Sequence, residues 1–166
     1  MRKGGNAFDA AIATQLALAV VYPGAGNLGG GGFMVARLPS GELISLDYRE
    51  TAPASADRNM YLDAAGNIIQ GKSIRSPTAS GVPGSVAGII ETLKYAKLTL
   101  KELIDPAIDF AENGFAITSG EAAALNNLRT EFKKYNNGRT AFQKDIPWKA
   151  GDVIVHVLRC ACGFHV

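Results

Sequence analysis

Arg49 is the first residue whose chemistry draws attention, because it directly follows a run of alternating faces from Glu42 to Tyr48. A guanidinium held at the end of a strand can grip a carboxylate through two parallel hydrogen bonds. Most surface arginines form only weak ion pairs, and Asp47 and Glu50 are close enough in sequence to serve as such partners. The residue type therefore leaves two interpretations open, a carboxylate ligand and a structural ion pair.

A glycine-rich segment precedes this run. Six glycines fall between Gly24 and Gly32, and residues 24–29 have the literal spacing G-x-G-x-x-G of a dinucleotide-binding turn. That fingerprint requires a strand before it and a helix after it, so that the pyrophosphate meets a helix N-terminus. Here an apolar helix is predicted before the glycines and a strand after them. We therefore expect a tight connection in which backbones approach one another closely, and no nucleotide site.

A second group of potential ligands lies in the last eleven residues. It consists of His156, Cys160, Cys162 and His165, which are the only histidines and cysteines of the chain. Zinc takes these residue types, but its structural sites usually separate paired cysteines by two to four residues. Because Cys-x-Cys is tighter than that spacing, we expect no metal site here. We expect no cofactor either. The segment 156–166 is interpreted as an irregular tail.

The elements that would position Arg49 are predicted from periodicity and end signals. Asn6 is a good cap for an almost wholly apolar helix from Ala7 to Val21, which we expect to be buried on all sides. Two strands, Gly32 to Leu38 and Glu42 to Tyr48, flank a Pro-Ser-Gly turn and predict an antiparallel hairpin at about residues 32–48. The first strand is expected to be buried, and Arg49 ends the second.

More helices are expected after a loop-rich stretch that ends at Pro83. One is predicted from Ser85 to Lys97, and two capping boxes open the others. The boxes pair Thr99 with Glu102 and Thr118 with Glu121, and the last helix is expected to reach Tyr135. The expected apolar stripes are Val86, Ile89, Ile90 and Leu93, then Leu100, Leu103, Ile104, Ile108 and Phe110. The predicted fold class is α/β, with α+β layers of buried and flanking helices and the hairpin around one core.

Composition excludes some functions. The 166 residues carry a net charge of +2, with 47% hydrophobic and 19% charged residues. This balance does not favour nucleic-acid binding, which usually requires a concentrated basic face. The longest apolar run, Ala10 to Tyr22, is shorter than the roughly 20 residues that cross a bilayer, so we expect no membrane span. We also expect no signal peptide, because residues 1–5 lead straight into a helix and not through an apolar run to a cleavage site. The two cysteines do not indicate a compartment.

Five motifs in order resemble those of one enzyme family. Gly4 to Ala11 is similar to its "GGNAxDAA", Ala25 to Met34 to its "GNLGGGGFM", Asp47 to Pro53 to its "DxREtAP", Ser80 to Gly88 to its "SGvPGxvaG", and Pro106 to Ile108 with Asn113 to Phe115 to later segments. Over about residues 3–155 the chain resembles the N-terminal part of the large subunit of a γ-glutamyltransferase (γ-glutamyltranspeptidase, glutathione hydrolase) precursor.

The resemblance implies a fold, a reaction and a role for Arg49. Such precursors fold as N-terminal-nucleophile hydrolases, an αββα sandwich, and cleave themselves into two subunits. The new N-terminal Thr of the small subunit attacks the γ-glutamyl amide of glutathione, and the acyl group passes to water, amino acids or peptides. The arginine of "DxREtAP" binds the glutamate α-carboxylate, which assigns that role to Arg49. The family is typically periplasmic, secreted or at the cell surface, and it uses no cofactor.

The resemblance covers only the N-terminal part of the large subunit, and this leads to further expectations. Residues 1–155 are expected to be a partial large-subunit domain, and 156–166 a divergent tail. The catalytic Thr belongs to the small subunit, so we expect no catalytic residue in this chain and no turnover by it alone. Uncovered sheet edges and apolar helix faces should favour self-association. The alternative function is a non-catalytic, truncated binding module.

Overall fold

The computed structural model describes residues 2–156, and these form two compact units where the sequence had predicted a single core. The first unit consists of the described residues up to Ile12 together with residues 27–98. The second consists of residues 13–26 and the described residues from Thr99 onward. In the described part of the chain, no helix combines the length and apolar character that a membrane crossing requires.

Helix α1 spans Ala7–Val21, as predicted, and begins at a reciprocal cap. The Asn6 side-chain oxygen accepts hydrogen bonds from the backbone N–H groups of Phe8 (2.8 Å) and Asp9 (3.2 Å). The Asp9 carboxylate accepts one in return from the N–H of Asn6 at 2.6 Å. This arrangement is a capping box in which the acid is shorter than usual.

Burial of α1 differs from the expectation. Asp9, Ile12 and Leu16 are buried, at spacings that place them on one side of the helix. Leu18 is 39% exposed, and Ala11 is also exposed. The prediction of burial on all sides is wrong for the described chain, because its packing covers one side of this apolar helix and leaves the other open.

The predicted hairpin is present. Strand β1 (Phe33–Arg37) pairs antiparallel with β2 (Leu43–Asp47), and Phe33 lies opposite Asp47. The expectation that the first strand is buried is wrong, because exposed and partly buried residues alternate along it and Val35 is 79% exposed. Only one face of the hairpin is covered, and there the Thr92 hydroxyl lies 3.7 Å from the Met34 sulfur.

A loop with a short helix α2 (Lys72–Arg75) leads to helix α3 (Ser85–Thr92) and a 3₁₀ turn at Leu93–Tyr95. The buried face of α3 consists of Ser85, Gly88, Ile89 and Thr92. The predicted stripe was partly wrong, because Val86 and Ile90 are both about half exposed. Burial of the polar Thr92 is tolerated because its hydroxyl donates a hydrogen bond to the carbonyl of Gly88 at 2.6 Å.

Three helices belong to the second unit's later part: α4 (Leu100–Asn113), α5 (Ser119–Asn127) and α6 (Arg129–Tyr135). Both predicted capping boxes are confirmed, at Thr99 with Glu102 and at Thr118 with Glu121. The helix expected to continue to Tyr135 is interrupted at Leu128, directly after two asparagines, which are weak helix formers.

The core of the second unit rests on a strand pair that was not predicted. Strand β3 (Phe115–Ala116), which follows α4, pairs antiparallel with β4 (Val153–Ile154). Buried Ile117, Ala122 and Ile154 form a cluster, against which pack Phe115, Leu125, Phe142 and Trp148. Helix α4 buries Leu103, Ala107 and Ala111, whereas the predicted Ile108 and Phe110 are exposed.

Candidate functional site

Arg49 lies one residue beyond the regular end of the hairpin, where backbone hydrogen bonds still hold the chain. Gly32 and Tyr48 exchange two of them, from Gly32 N–H to Tyr48 O at 3.3 Å and from Tyr48 N–H to Gly32 O at 3.0 Å. The N–H of Arg49 donates to the Asp47 carboxylate at 3.0 Å. The backbone that leads into Arg49 is therefore fixed.

A second segment closes on the same strand end. Thr51 and Val82 exchange two backbone hydrogen bonds, at 3.2 and 2.8 Å. The N–H groups of Gly84 and Ser85 both donate to the carbonyl of Gly30 at 2.9 Å. Three stretches that are distant in sequence, 30–32, 48–51 and 82–85, thus meet around Arg49. All three lie in motifs that the sequence analysis had singled out.

Glycines make this approach possible. A Cβ atom added at Gly31 would lie 2.5 Å from the Tyr48 carbonyl oxygen, and one at Gly84 would lie 2.0 Å from the same atom. Contacts below 3.0 Å to backbone require the chain to move, so a side chain fits at neither position. The G-x-G-x-x-G segment follows helix α1 and precedes strand β1, which is the reverse of the dinucleotide-binding order.

The Arg49 side chain has a partner at one edge and is open at the other. Its Nε lies 3.3 Å from Glu50 Oε2, and its guanidinium carbon lies 5.7 Å from the centroid of the Phe33 ring. Among residues 2–156, the guanidinium of Arg49 donates no hydrogen bond, and Glu50 is its one ion-pair partner, with Nε as the closest nitrogen. The side chain is 61% exposed. The structure contains the ion pair with Glu50 and also leaves the fork of the guanidinium available for a carboxylate.

Asp9 is a charged group altered by its surroundings, and it is only 1% exposed. Burial raises the pKa of Asp9, but the N–H groups of Asn6, Leu98 and Lys97 all donate to its carboxylate and together lower that pKa below its ordinary value. Because donors from the chain itself occupy the Asp9 carboxylate, we interpret it as a structural group.

The pKa values of two other carboxylates are also lowered. The pKa of Asp63 is lowered mainly by its hydrogen bonds with Asn67, and that of Asp152 by the Lys144 ammonium.

Metal-ligating residues were expected to form no site. In the part of the chain that the structure describes, no group of three or more histidine, cysteine, aspartate or glutamate side chains could hold a metal ion. The ring of His156 stacks with Phe115 at 6.0 Å and meets Phe142 edge-on at 5.3 Å. Cys160, Cys162 and His165 lie outside the described residues, so the prediction for the tail remains a prediction.

A cavity of about 280 Å³ lies in the second unit, between the end of α6 and the loop that follows it. Two of its cations are already paired: Arg139 with Asp145 at 3.3 Å, and Lys144 with Asp152. The cavity brings no nucleophile near a general base. We therefore regard the strand end at Arg49 as the candidate site.

Comparison with known proteins agrees with the family resemblance of the sequence motifs. The family model described as "Gamma-glutamyltranspeptidase" matches residues 1–158. Two relatives named "Glutathione hydrolase proenzyme" are similar over 158 residues, or 93% of this chain: one from Pseudomonas sp. (strain A14) at 45% identity and one from Escherichia coli (strain K12) at 44%. The chain covers 28% and 27% of these relatives, so it spans about a quarter of their length.

Solved structures with a similar fold also match most of this chain. The crystal structure of Helicobacter pylori gamma-glutamyltranspeptidase matches with a TM-score of 0.88 and 48% identity, over 93% of this chain and 45% of that one. The Bacillus anthracis transpeptidase CapD matches with a TM-score of 0.73 and 29% identity, over 94% of this chain and 48% of that one. The predicted fold class, an α+β fragment of an N-terminal-nucleophile hydrolase, is confirmed. With a family model matching nearly its full length and relatives this similar, the chain belongs to the gamma-glutamyltranspeptidase family.

Proposed function

We propose that this chain is the part of a γ-glutamyltransferase (glutathione hydrolase) that holds the glutamate α-carboxylate of the substrate. The complete enzyme cleaves γ-glutamyl amides such as glutathione through a γ-glutamyl-enzyme, and it passes the acyl group to water, amino acids or peptides. The names of the relatives and the convergence of three family motifs on Arg49 support this proposal.

Arg49 is the substrate-binding residue in this proposal. The observation that carries it is the open fork: Nε is the nitrogen closest to Glu50, and the guanidinium is 61% exposed and donates no hydrogen bond among residues 2–156. A bidentate carboxylate needs two such N–H donors on a guanidinium held in place. The surface ion pair with Glu50 is itself worth only about 0–1 kcal/mol, so stability alone gives a weak reason for this arrangement.

The nucleophile is proposed to come from a partner, the small subunit of the same precursor. In the printed sequence every Thr is internal, so none has the free α-amine that activates an N-terminal Thr. We accordingly propose that residues 1–155 form a partial large-subunit domain, that 156–166 are a divergent tail, and that the 166-residue chain alone is inactive. As a truncated product it would then be the non-catalytic binding module that the sequence left open.

The test is substitution of Arg49 in the full-length precursor. Leaving a desolvated carboxylate without its partner costs about 2–5 kcal/mol. At about 1.4 kcal/mol per factor of ten, kcat/KM with Arg49→Gln should fall roughly 30- to several-thousand-fold. Arg49→Lys should recover only part of this, because an ammonium keeps the charge and loses the fork. The loss should fall mainly on KM if ground and transition states hold the carboxylate equally.

Arg37 provides a matched control, since it is an exposed arginine at the end of the other strand of the hairpin. Arg37→Gln should leave kcat/KM close to normal. If Arg49→Gln still cleaved itself and retained near-normal kcat/KM, the proposed role would be wrong. Arg49 would then be a structural ion-pair partner of Glu50.

A further inference from the structure

The hairpin register determines which side chain lies beside Arg49. Gly32 and Tyr48 form a mutually hydrogen-bonded pair, and Phe33 is the partner of Asp47. Counting one pair outward places Gly31 opposite Arg49. Side chains alternate between the two faces of a strand, so Arg49 shares a face with Asp47 and with Phe33 across the ladder.

Because Gly31 has no side chain, the diagonal neighbour is the nearest side chain that the opposite strand offers to Arg49. Diagonal positions in an antiparallel pair are about 7–8 Å apart, within reach of aromatic and long side chains. The diagonal neighbour here is Phe33, and its ring centroid is 5.7 Å from the guanidinium carbon. A cation within about 6 Å of a ring centroid is attracted by the ring's negative face.

Burial does not account for the position of the Phe33 ring, which is 62% exposed on the uncovered face of the hairpin. Val35, two residues along on that face, is 79% exposed and has no ring to offer a cation. The cationic contact therefore distinguishes Phe33 from its neighbour on the same strand.

We propose that Phe33 is a positioning residue for substrate binding: its ring holds the guanidinium of Arg49 so that the two terminal nitrogens point to the substrate α-carboxylate. Glu50 occupies the Nε edge, and the ring restricts the rest of the side chain. Pre-positioning reduces the entropy that a long side chain loses when it binds. This inference rests on the proposed function of Arg49 and adds the residue that orients it.

The experiment uses the full-length precursor and compares Phe33→Leu with Phe33→Tyr. Phe33→Leu removes the ring face and should raise KM for a γ-glutamyl anilide about 2- to 5-fold, with little change in kcat, from the usual strength of exposed cation–π pairs. Phe33→Tyr keeps a π face and should recover most of the affinity. Val35→Ala, on the same face, should leave both constants unchanged. If Phe33→Leu does not mature, Phe33→Met makes the same comparison.

Inhibition by free ligands separates orientation of Arg49 from general structural damage. L-Glutamate carries the α-carboxylate, and 4-aminobutyrate is the same molecule without it. Phe33→Leu should weaken inhibition by L-glutamate by the factor seen in KM and leave inhibition by 4-aminobutyrate unchanged. An equal loss for both compounds, or an unchanged KM where Arg49→Gln raises it, would overturn the role of Phe33 alone. An unchanged kcat/KM with Arg49→Gln would instead overturn the proposed function.

Discussion

The ring of Tyr48 lies against Gly88, in the space where the side chain of any other residue would begin. A Cβ atom added at Gly88 would be 2.4 Å from Cγ of that ring. Tyr48 directly precedes Arg49, and its backbone carries both hydrogen bonds to Gly32. Helix α3 therefore contacts the strand end on the face opposite to the one that carries the guanidinium, and holds it there.

Gly88→Ala should destabilise the first unit. Helix propensity alone favours alanine by about 0.8–1.0 kcal/mol, but overpacking typically costs about 1–3 kcal/mol, and the clash is with the base of the ring. Gly120→Ala is the matched control, because Gly120 is also helical and a Cβ there would come no closer than 3.9 Å to its neighbour. Urea unfolding should show a loss for the first variant and none for the second. Equal midpoints would contradict the packing described.

Gly31→Ala should impair the site more than Gly29→Ala. A Cβ at Gly31 would meet the Tyr48 carbonyl oxygen at 2.5 Å, whereas one at Gly29 has nothing within 4 Å. The added methyl would displace the strand end that bears Arg49, and a misplacement of about 1 Å can cost about 10²-fold in rate. The measurement is kcat/KM of the self-cleaved full-length enzyme. A Gly31→Ala enzyme as active as Gly29→Ala would show that the two backbones can separate without consequence.

Signals that were local in the sequence predicted local structure well. Asn6, Thr99 and Thr118 each satisfy N–H groups within one helical turn, so their helix starts were readable from a few residues. The hairpin was equally readable, from alternation around a Pro-Ser-Gly turn. Such features depend on neighbours in the chain and not on the rest of the fold.

Packing between distant segments was less predictable. The pairing of Phe115 with Ile154 joins residues about forty positions apart, and two-residue strands carry no usable periodicity. On α3, hydrophobicity favoured Val86 over Gly88, but Gly88 is buried because the ring of Tyr48 occupies its side. Arg49 itself was selected through the family resemblance, since its residue type alone favoured an ion pair of the kind that is present.

Acid should unfold the first unit partly through Asp9. The pKa of Asp9 is lower in the folded chain than its ordinary value of about 3.9, so below that value the unfolded chain binds more protons than the folded one. The stabilisation is present above about pH 4 and is lost as the pH falls toward the folded pKa. Asp9→Asn should reduce stability at neutral pH by about 1–3 kcal/mol, because an amide cannot accept all three N–H groups.

The pH profile of Asp9→Asn provides the check. Its stability should fall less between pH 5 and pH 3 than that of the unsubstituted chain, when both are followed by urea unfolding. Asp109→Asn is the control, because Asp109 is exposed and its side chain accepts, among the described residues, one hydrogen bond, from Asn113 within its own helix. If all three proteins shared one acid profile, Asp9 would not be the group responsible.

The 166-residue chain should associate in solution. Among the described residues, more large apolar side chains are exposed than buried, including Phe33, Val35 and Leu43 on the outer face of a two-stranded hairpin. Exposed apolar faces and unpaired strand edges favour association. Light scattering coupled to gel filtration should show species larger than a monomer, and Val35→Lys should reduce them. A monodisperse monomer with a sharp, reversible melt would contradict this expectation.

The isolated chain should not hydrolyse glutathione. The proposed chemistry needs a hydroxyl next to a free α-amine that takes its proton. Thr51 is the threonine nearest to Arg49 in sequence, and its nitrogen is an amide that donates to the carbonyl of Val82 at 3.2 Å, so it can accept no proton. Thr78 is likewise internal.

Incubation of the chain with a γ-glutamyl anilide should give only background release, while the self-cleaved full-length enzyme turns over under the same conditions. Because an expression host can contribute its own enzyme, the chain should be prepared from a strain that lacks one. Heat-sensitive turnover in such a preparation would mean that a nucleophile lies within these residues, and the division of roles between the two subunits would have to be abandoned.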